Sequence, residues 1–165
     1  MQVIKLGLIS LVVFALLITG ISLFFPSNVR VSKAIDIKGN RDSVWMLVKD
    51  PANWRKWYPG GDSLPPFVVD GKIKGIGTDS MQALMITGIT DSTVMASNVG
   101  PLSKDGETGW NIYPGHVPEM MTIQMYMDFH LRWYPWEKFS SLLLENRYGQ
   151  QLEKALENLK KLAEQ

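Results

Sequence analysis

Fourteen residues, Met120 to Trp133, alternate almost without a break. The odd positions Met121, Ile123, Met125, Met127, Phe129, Leu131 and Trp133 are all apolar, and the even ones include Thr122, Gln124, Asp128, His130 and Arg132. Successive side chains of a strand point to opposite faces, so this pattern predicts a long antiparallel strand with one face covered. The cover comes next in the chain. Pro135 suits the first turn of a helix. From there Phe139, Leu142, Leu143, Tyr148, Leu152, Ala155, Leu156, Leu159 and Leu162 keep a spacing of three and four to the C-terminus. That is one apolar stripe, with Glu153, Lys154, Glu157, Lys160, Lys161 and Glu164 outside it. A half-covered sheet and an amphipathic helix bury each other.

Upstream the same logic repeats on a smaller scale. Val29 to Lys38 alternates, with Val29, Val31, Ile35 and Ile37 apolar, and reads as a half-buried strand in which Lys33 breaks the apolar register. Asn40 or Asp42 can cap a short helix through Val44, Trp45, Leu47 and Val48. Asp50-Pro51 ends it and opens another, carrying Trp54 and Trp57. Phe67 to Lys74 reads as a hairpin about Asp70-Gly71, a pair that favours the type I′ turn. Strands are predicted at about Asp79–Thr87, Thr93–Val99 and Glu107–Tyr113, with turns at Asp91 and Asp105-Gly106. The expected class is therefore α+β. A curved antiparallel sheet of six to seven strands wraps a long C-terminal helix, with two short helices after the first strand.

A different solvent is written into the N-terminus. No charge falls between Lys5 and Arg30, and Leu6 to Phe25 is apolar on every side. Twenty residues at ~1.5 Å each span about the hydrocarbon thickness of a bilayer. The run exceeds a signal-peptide core and is followed by no A-x-A-like site, which favours an uncleaved single-pass anchor over a cleaved leader. Residues 1–28 are thus anchor and linker, and 29–165 one domain of ordinary size. Charge after the span (Arg30, Lys33, Lys38, Arg41) leans towards a cytoplasmic domain, while an exported one stays open as well. Ala15, Thr19 and Ser22 share a helical face that a homodimer seam would use.

Composition excludes several chemistries. Seventeen basic and sixteen acidic residues leave no basic face for nucleic acid. The absence of Cys removes disulfides, thiolate metal sites and a Cys nucleophile. His116 and His130 are the only histidines, too few and too isolated for a zinc site, and no cofactor is called for. Gly75-Ile76-Gly77 lacks the third Gly and the following helix of a dinucleotide site.

The chain resembles the START-like helix-grip superfamily, in its polyketide cyclase/dehydrase and lipid-transport branch. The resemblance is carried by Val31 to Ile37 with Ser43-Val44-Trp45, by Asp50 to Pro59 with its two tryptophans, by Gly75-Ile76-Gly77-Thr78, and by Tyr134-Pro135-Trp136 with Leu152 to Leu162. It implies a cavity between sheet and C-terminal helix that takes a lipid or other apolar small molecule. The residues expected to line it are Trp57, Met81, Met85, Met121, Ile123, Met125, Phe129, Trp133 and Phe139. Met-rich faces adapt to varied ligands, though they also fill ordinary cores. Trp54, Trp57 and Tyr58 would either gate the mouth or anchor the short helices. Two rival functions stand beside binding. A cyclase- or dehydratase-like enzyme needs titratable groups facing inward, whereas Gln124, Asp128 and His130 fall on the outward register. A membrane-bound interaction module needs a filled core and an exposed apolar patch.

Overall fold

The computed structural model describes residues 2–78, 83–99, 106–115, 117 and 119–165. Its seven strands are β1 (Asn28–Lys38), β2 (Pro66–Val69), β3 (Lys72–Gly77), β4 (Ala83–Ile89), β5 (Thr93–Val99), β6 (Glu107–Pro114) and β7 (Met120–His130). They form one antiparallel sheet in the order β1-β7-β6-β5-β4-β3-β2. The helices are α1 (Gln2–Ser22), α2 (Arg41–Lys49), α3 (Pro51–Trp57) and α4 (Pro135–Ala163), with a 3-10 turn at Gly61–Ser63. This is the helix-grip α+β architecture. Strand β7 stops at His130, three residues short of the alternating run, opposite Asn28 where its partner β1 begins; Leu131 adds one bond in the same register, its N–H donating to the Ser27 carbonyl.

Local chemistry sets the boundaries. The Asn40 side chain accepts from the Asp42 and Ser43 N–H groups and caps α2. Asp50 does the same for α3 through Ala52, with Pro51 in the first turn. Asp70 and Gly71 carry φ of 52° and 74°, the pair of positive angles a type I′ turn needs. At Gly75 a Cβ would lie 1.9 Å from the Leu84 carbonyl oxygen, so the Gly-x-Gly element serves close strand crossing beside the bulge at Phe67/Val68.

The core lies between the sheet's inner face and α2, α3 and α4. Val31, Ile37, Ile112, Met121, Ile123 and Met125 supply the sheet side, and Leu152, Ala155, Leu156 and Leu159 the α4 side. Three tryptophans fill its centre. Trp54 and Trp110 stand 5.0 Å apart, and Trp57 meets Trp110 edge-on at 6.0 Å. Trp54 Nε1 donates to the Val48 carbonyl and Trp57 Nε1 to that of Leu47, so both pin α3 to α2. Both anchor the short helices.

Lys33, the residue that breaks the register of β1, sits on the inner face below α4. Its ammonium reaches Glu145 at 2.7 Å. Its stem occupies the space where a Cβ on Gly149 would come within 3.3 Å of Cε. The helical glycine thus marks a close approach of α4 to the sheet.

Candidate ligand site between the sheet and the long helix

Two inward-facing rows of side chains cross the sheet at the end where β1 begins. One runs Val31–Met127–Thr108–Ala96–Ile86 through paired residues. Thr108 and Ala96 are its small members. Next to it Phe129 stands beside Gly106, which contributes no side chain at all. Small groups on the sheet below a helix held off by its own side chains leave a gap. The gap is a cavity of about 200 Å³ lined by Tyr58, Asn98, Gly106, Glu107, Thr108, Met127, Phe129, Tyr148 and Gln151. Phe129 and Tyr148 close one side with ring centroids 4.8 Å apart. The volume lies below the range of drug-sized pockets, so it fits a small apolar molecule or one end of a chain.

One titratable group inside it is strongly perturbed. Tyr58 keeps part of its surface as a residue, but its hydroxyl end is enclosed. Burial pushes its pKa from 10 up to about 12, against the smaller opposing effect of a hydrogen bond with the Gln151 side chain. The hydroxyl therefore stays protonated in any physiological medium. Among the described residues no histidine lines the cavity.

Of the residues expected to line a cavity, Phe129 does. Trp57, Met121, Ile123 and Met125 face inward as expected but are packed into the core, each at most 3% exposed. Met85 lies on the opposite face. It pairs with Ser97, which pairs with Glu107, in the outward row that ends at Asp128 and Arg30. Leu84 and Ile86 take the inward positions, and a strand can offer only one parity to each face. Phe139 packs edge-on against Phe25 at 5.2 Å, outside the cavity. Trp133 follows the end of β7 and is 62% exposed. Met81, like His116, lies outside the described residues. Thr108, Tyr148 and Gln151 were missed. The Tyr148 position in the apolar stripe was the one available signal.

The outward face is polar. Arg30 holds Asp128 through two bonds of 2.6 Å and lies 4.1 Å above the Tyr126 ring, which in turn lies across Gly109. That contact and burial displace the two groups differently. Arg30 is raised by its bond to Asp128, while desolvation raises Tyr126. Thr93, Asn111, Gln124 and Tyr113 form a second network on the same face. Gln124 and Asp128 are thus committed to surface networks, and His130 is exposed at the end of β7.

Residues 28–164 match the family described as polyketide cyclase/dehydrase and lipid transport. Among solved structures, a protein from Bacillus thuringiensis aligns with a TM-score of 0.56 at 10% identity, covering 81% of this chain and 98% of that one. The di-domain ARO/CYC StfQ of the steffimycin biosynthetic pathway aligns at 0.59 and 9% identity, covering 83% of this chain and 51% of its own. The Aha1 dimer from Colwellia psychrerythraea aligns at 0.53 and 14%, covering 82% and 96%. At such identities the likeness is one of fold. No curated protein matches the chain.

Proposed function

The chain belongs to the polyketide cyclase/dehydrase and lipid transport family, and on that premise we propose that it binds an apolar small molecule or one end of a lipid in the sheet–helix cavity, held at a membrane by α1. The observation that carries this reading is the gap over Thr108 and Gly106, walled by Met127, Phe129 and Tyr148. Met127, Phe129 and the Tyr148 ring give it an apolar wall, and Asn98, Glu107, Thr108 and Gln151 a polar one, so a ligand with an apolar body and a polar end fits it best. Tyr58 and Gln151 would orient a single polar group of the ligand.

The α1 helix supports the membrane half of the proposal. It is 21 residues long, about 31 Å at 1.5 Å per residue, and its apolar side chains are exposed all round. In water that surface would be costly, whereas in a bilayer it is the ordinary state. A tether keeps the cavity near ligands dissolved in lipid and raises their effective concentration. A homodimer through the small-residue face of α1 would rest on packing alone, because the Thr19 and Ser22 hydroxyls donate to their own helix's carbonyls.

A cyclase- or dehydratase-like reaction in the same cavity has one feature in its favour, the enclosed Tyr58 hydroxyl, which could donate a proton or hydrogen bond. It lacks a facing histidine among the lining residues. Native mass spectrometry of residues 27–165 purified from the producing cells tests the binding reading. An apolar adduct, or its uptake from a lipid extract, is the expected result. A clean apo mass after exposure to the extract would overturn it.

A further inference from the structure

The first turns of α4 carry an exposed apolar surface that the ligand cavity does not use. Trp133, Trp136, Leu142 and Leu143 are each more than 60% exposed. Tyr134 ties the two tryptophans together. Its ring stacks on Trp136 at 4.9 Å and 6°, and lies 4.9 Å from Trp133. Trp136 and Leu143 are seven residues apart, two turns, and so share one helix face. A monomeric domain rarely leaves such side chains together in water.

Their position says what covers them. Helix α1 ends at Ser22, and Phe25 packs against Phe139, one turn into α4. Lys138, only 3% exposed, donates to the Phe25 carbonyl at 3.1 Å and to Ser27 Oγ at 2.6 Å. The linker is therefore clamped to the start of α4. The tryptophans can stand no further from the end of α1 than this clamp permits. Tryptophan and tyrosine rings with one apolar side and one polar edge settle at the boundary between headgroups and acyl chains.

We infer that the Trp133–Tyr134–Trp136 ladder and the Leu142–Leu143 face of α4 seat in the surface of the bilayer that α1 spans. The inference rests on the anchor reading above and adds an orientation to it. The cavity lies at the same end of the sheet. Phe129 pairs with Val29, and Asn28, the first residue of β1, pairs with His130, the last of β7. Seating the ladder holds that end of the domain against the lipid, so that an apolar ligand need not cross bulk water to reach the cavity.

The test uses the full chain reconstituted into phosphatidylcholine vesicles whose acyl chains carry bromine, a contact quencher of tryptophan. Helix α1 has no tryptophan, Trp54, Trp57 and Trp110 are sealed in the core, and Trp45, on α2, is partly buried and packed against it. Two of six tryptophans would then touch lipid, and emission should fall by about a third relative to unbrominated vesicles. The double variant W133F/W136F should float with the vesicles as wild type does and lose the quenching. A chain that floats but shows equal emission in both lipids overturns the seating and leaves the anchor intact. Quenching that persists in the double variant also overturns it. A chain that fails to float overturns the anchor reading, and the seating with it.

Discussion

Replacing Tyr58 by Phe separates an enclosed hydroxyl from one that merely faces water. The unfolded chain titrates this phenol near 10, and burial in the cavity moves it to about 12. A raised folded-state pKa gives stability that is fully present below the unfolded value and lost as pH rises through the folded one. At pH 8 the neutral wild-type hydroxyl, beside Gln151 in the cavity wall, should make the protein more stable than Tyr58→Phe by about 1 kcal/mol. Between pH 10 and 12 each unit removes about 1.4 kcal/mol from the wild type alone, about 2.7 kcal/mol in all. At pH 11 the loss is about 1.4 kcal/mol, so the two proteins should be nearly equal there and change order above it. Urea unfolding followed by circular dichroism from pH 8 to pH 11.5 measures both. Other tyrosines and the lysines titrate alike in the two proteins and cancel. Parallel stability curves over that range would refute the reasoning, because they would mean that the Tyr58 hydroxyl is hydrated and the cavity open to solvent.

Three further substitutions test the frame around the site. Gly75→Ala drives a Cβ into the Leu84 carbonyl at 1.9 Å, a backbone contact that cannot rotate away; a loss of about 3 kcal/mol or more in urea unfolding is expected, and a loss under 1 kcal/mol would contradict the close crossing of β3 and β4. Gly109→Ala meets the Tyr126 ring, itself held under Arg30, and should cost about 1–3 kcal/mol, most of it recovered in a Tyr126→Leu background; additive losses in the double-mutant cycle would contradict the contact. Lys138→Met keeps the bulk but removes both bonds to the linker, so limited proteolysis near Phe25–Ser27 should speed up severalfold while the midpoint of thermal unfolding moves little; unchanged cleavage would mean that the clamp holds nothing.

The sheet was legible because its burial is one-sided. Alternation in β1 and β7 and the three-four stripe of α4 from Tyr148 onward follow from a face that must meet water and a face that must not, whereas Leu142 and Leu143, expected in the same stripe, stand exposed. The cavity was far less legible. A hydrophobic residue on the inner face is written the same way whether it touches a ligand or another side chain, so Met121, Ile123 and Met125 pointed correctly inward yet ended in solid core. What makes the gap is the opposite signal, small residues at Thr108 and Gly106, which a search for apolar bulk passes over. Met85 shows the cost of parity. One residue of register decides its face, and the flanking Leu84 and Ile86 were equally apolar candidates. Trp133 continues the alternation of β7, but the ladder ends at His130 because the partner strand β1 begins only at Asn28.

The central claim, an apolar ligand in the gap over Thr108, is tested most directly by filling that gap. Residues 28–164 contain the whole sheet and core, so the domain without α1 serves for the measurement. Titration of an environment-sensitive apolar fluorophore into wild type and Thr108→Phe compares an open cavity with an occupied one. Saturable one-site binding by wild type, weakened at least tenfold in the filled variant at an unchanged thermal midpoint, is the expected result. Equal binding by the two proteins would contradict the account and move the ligand to another surface.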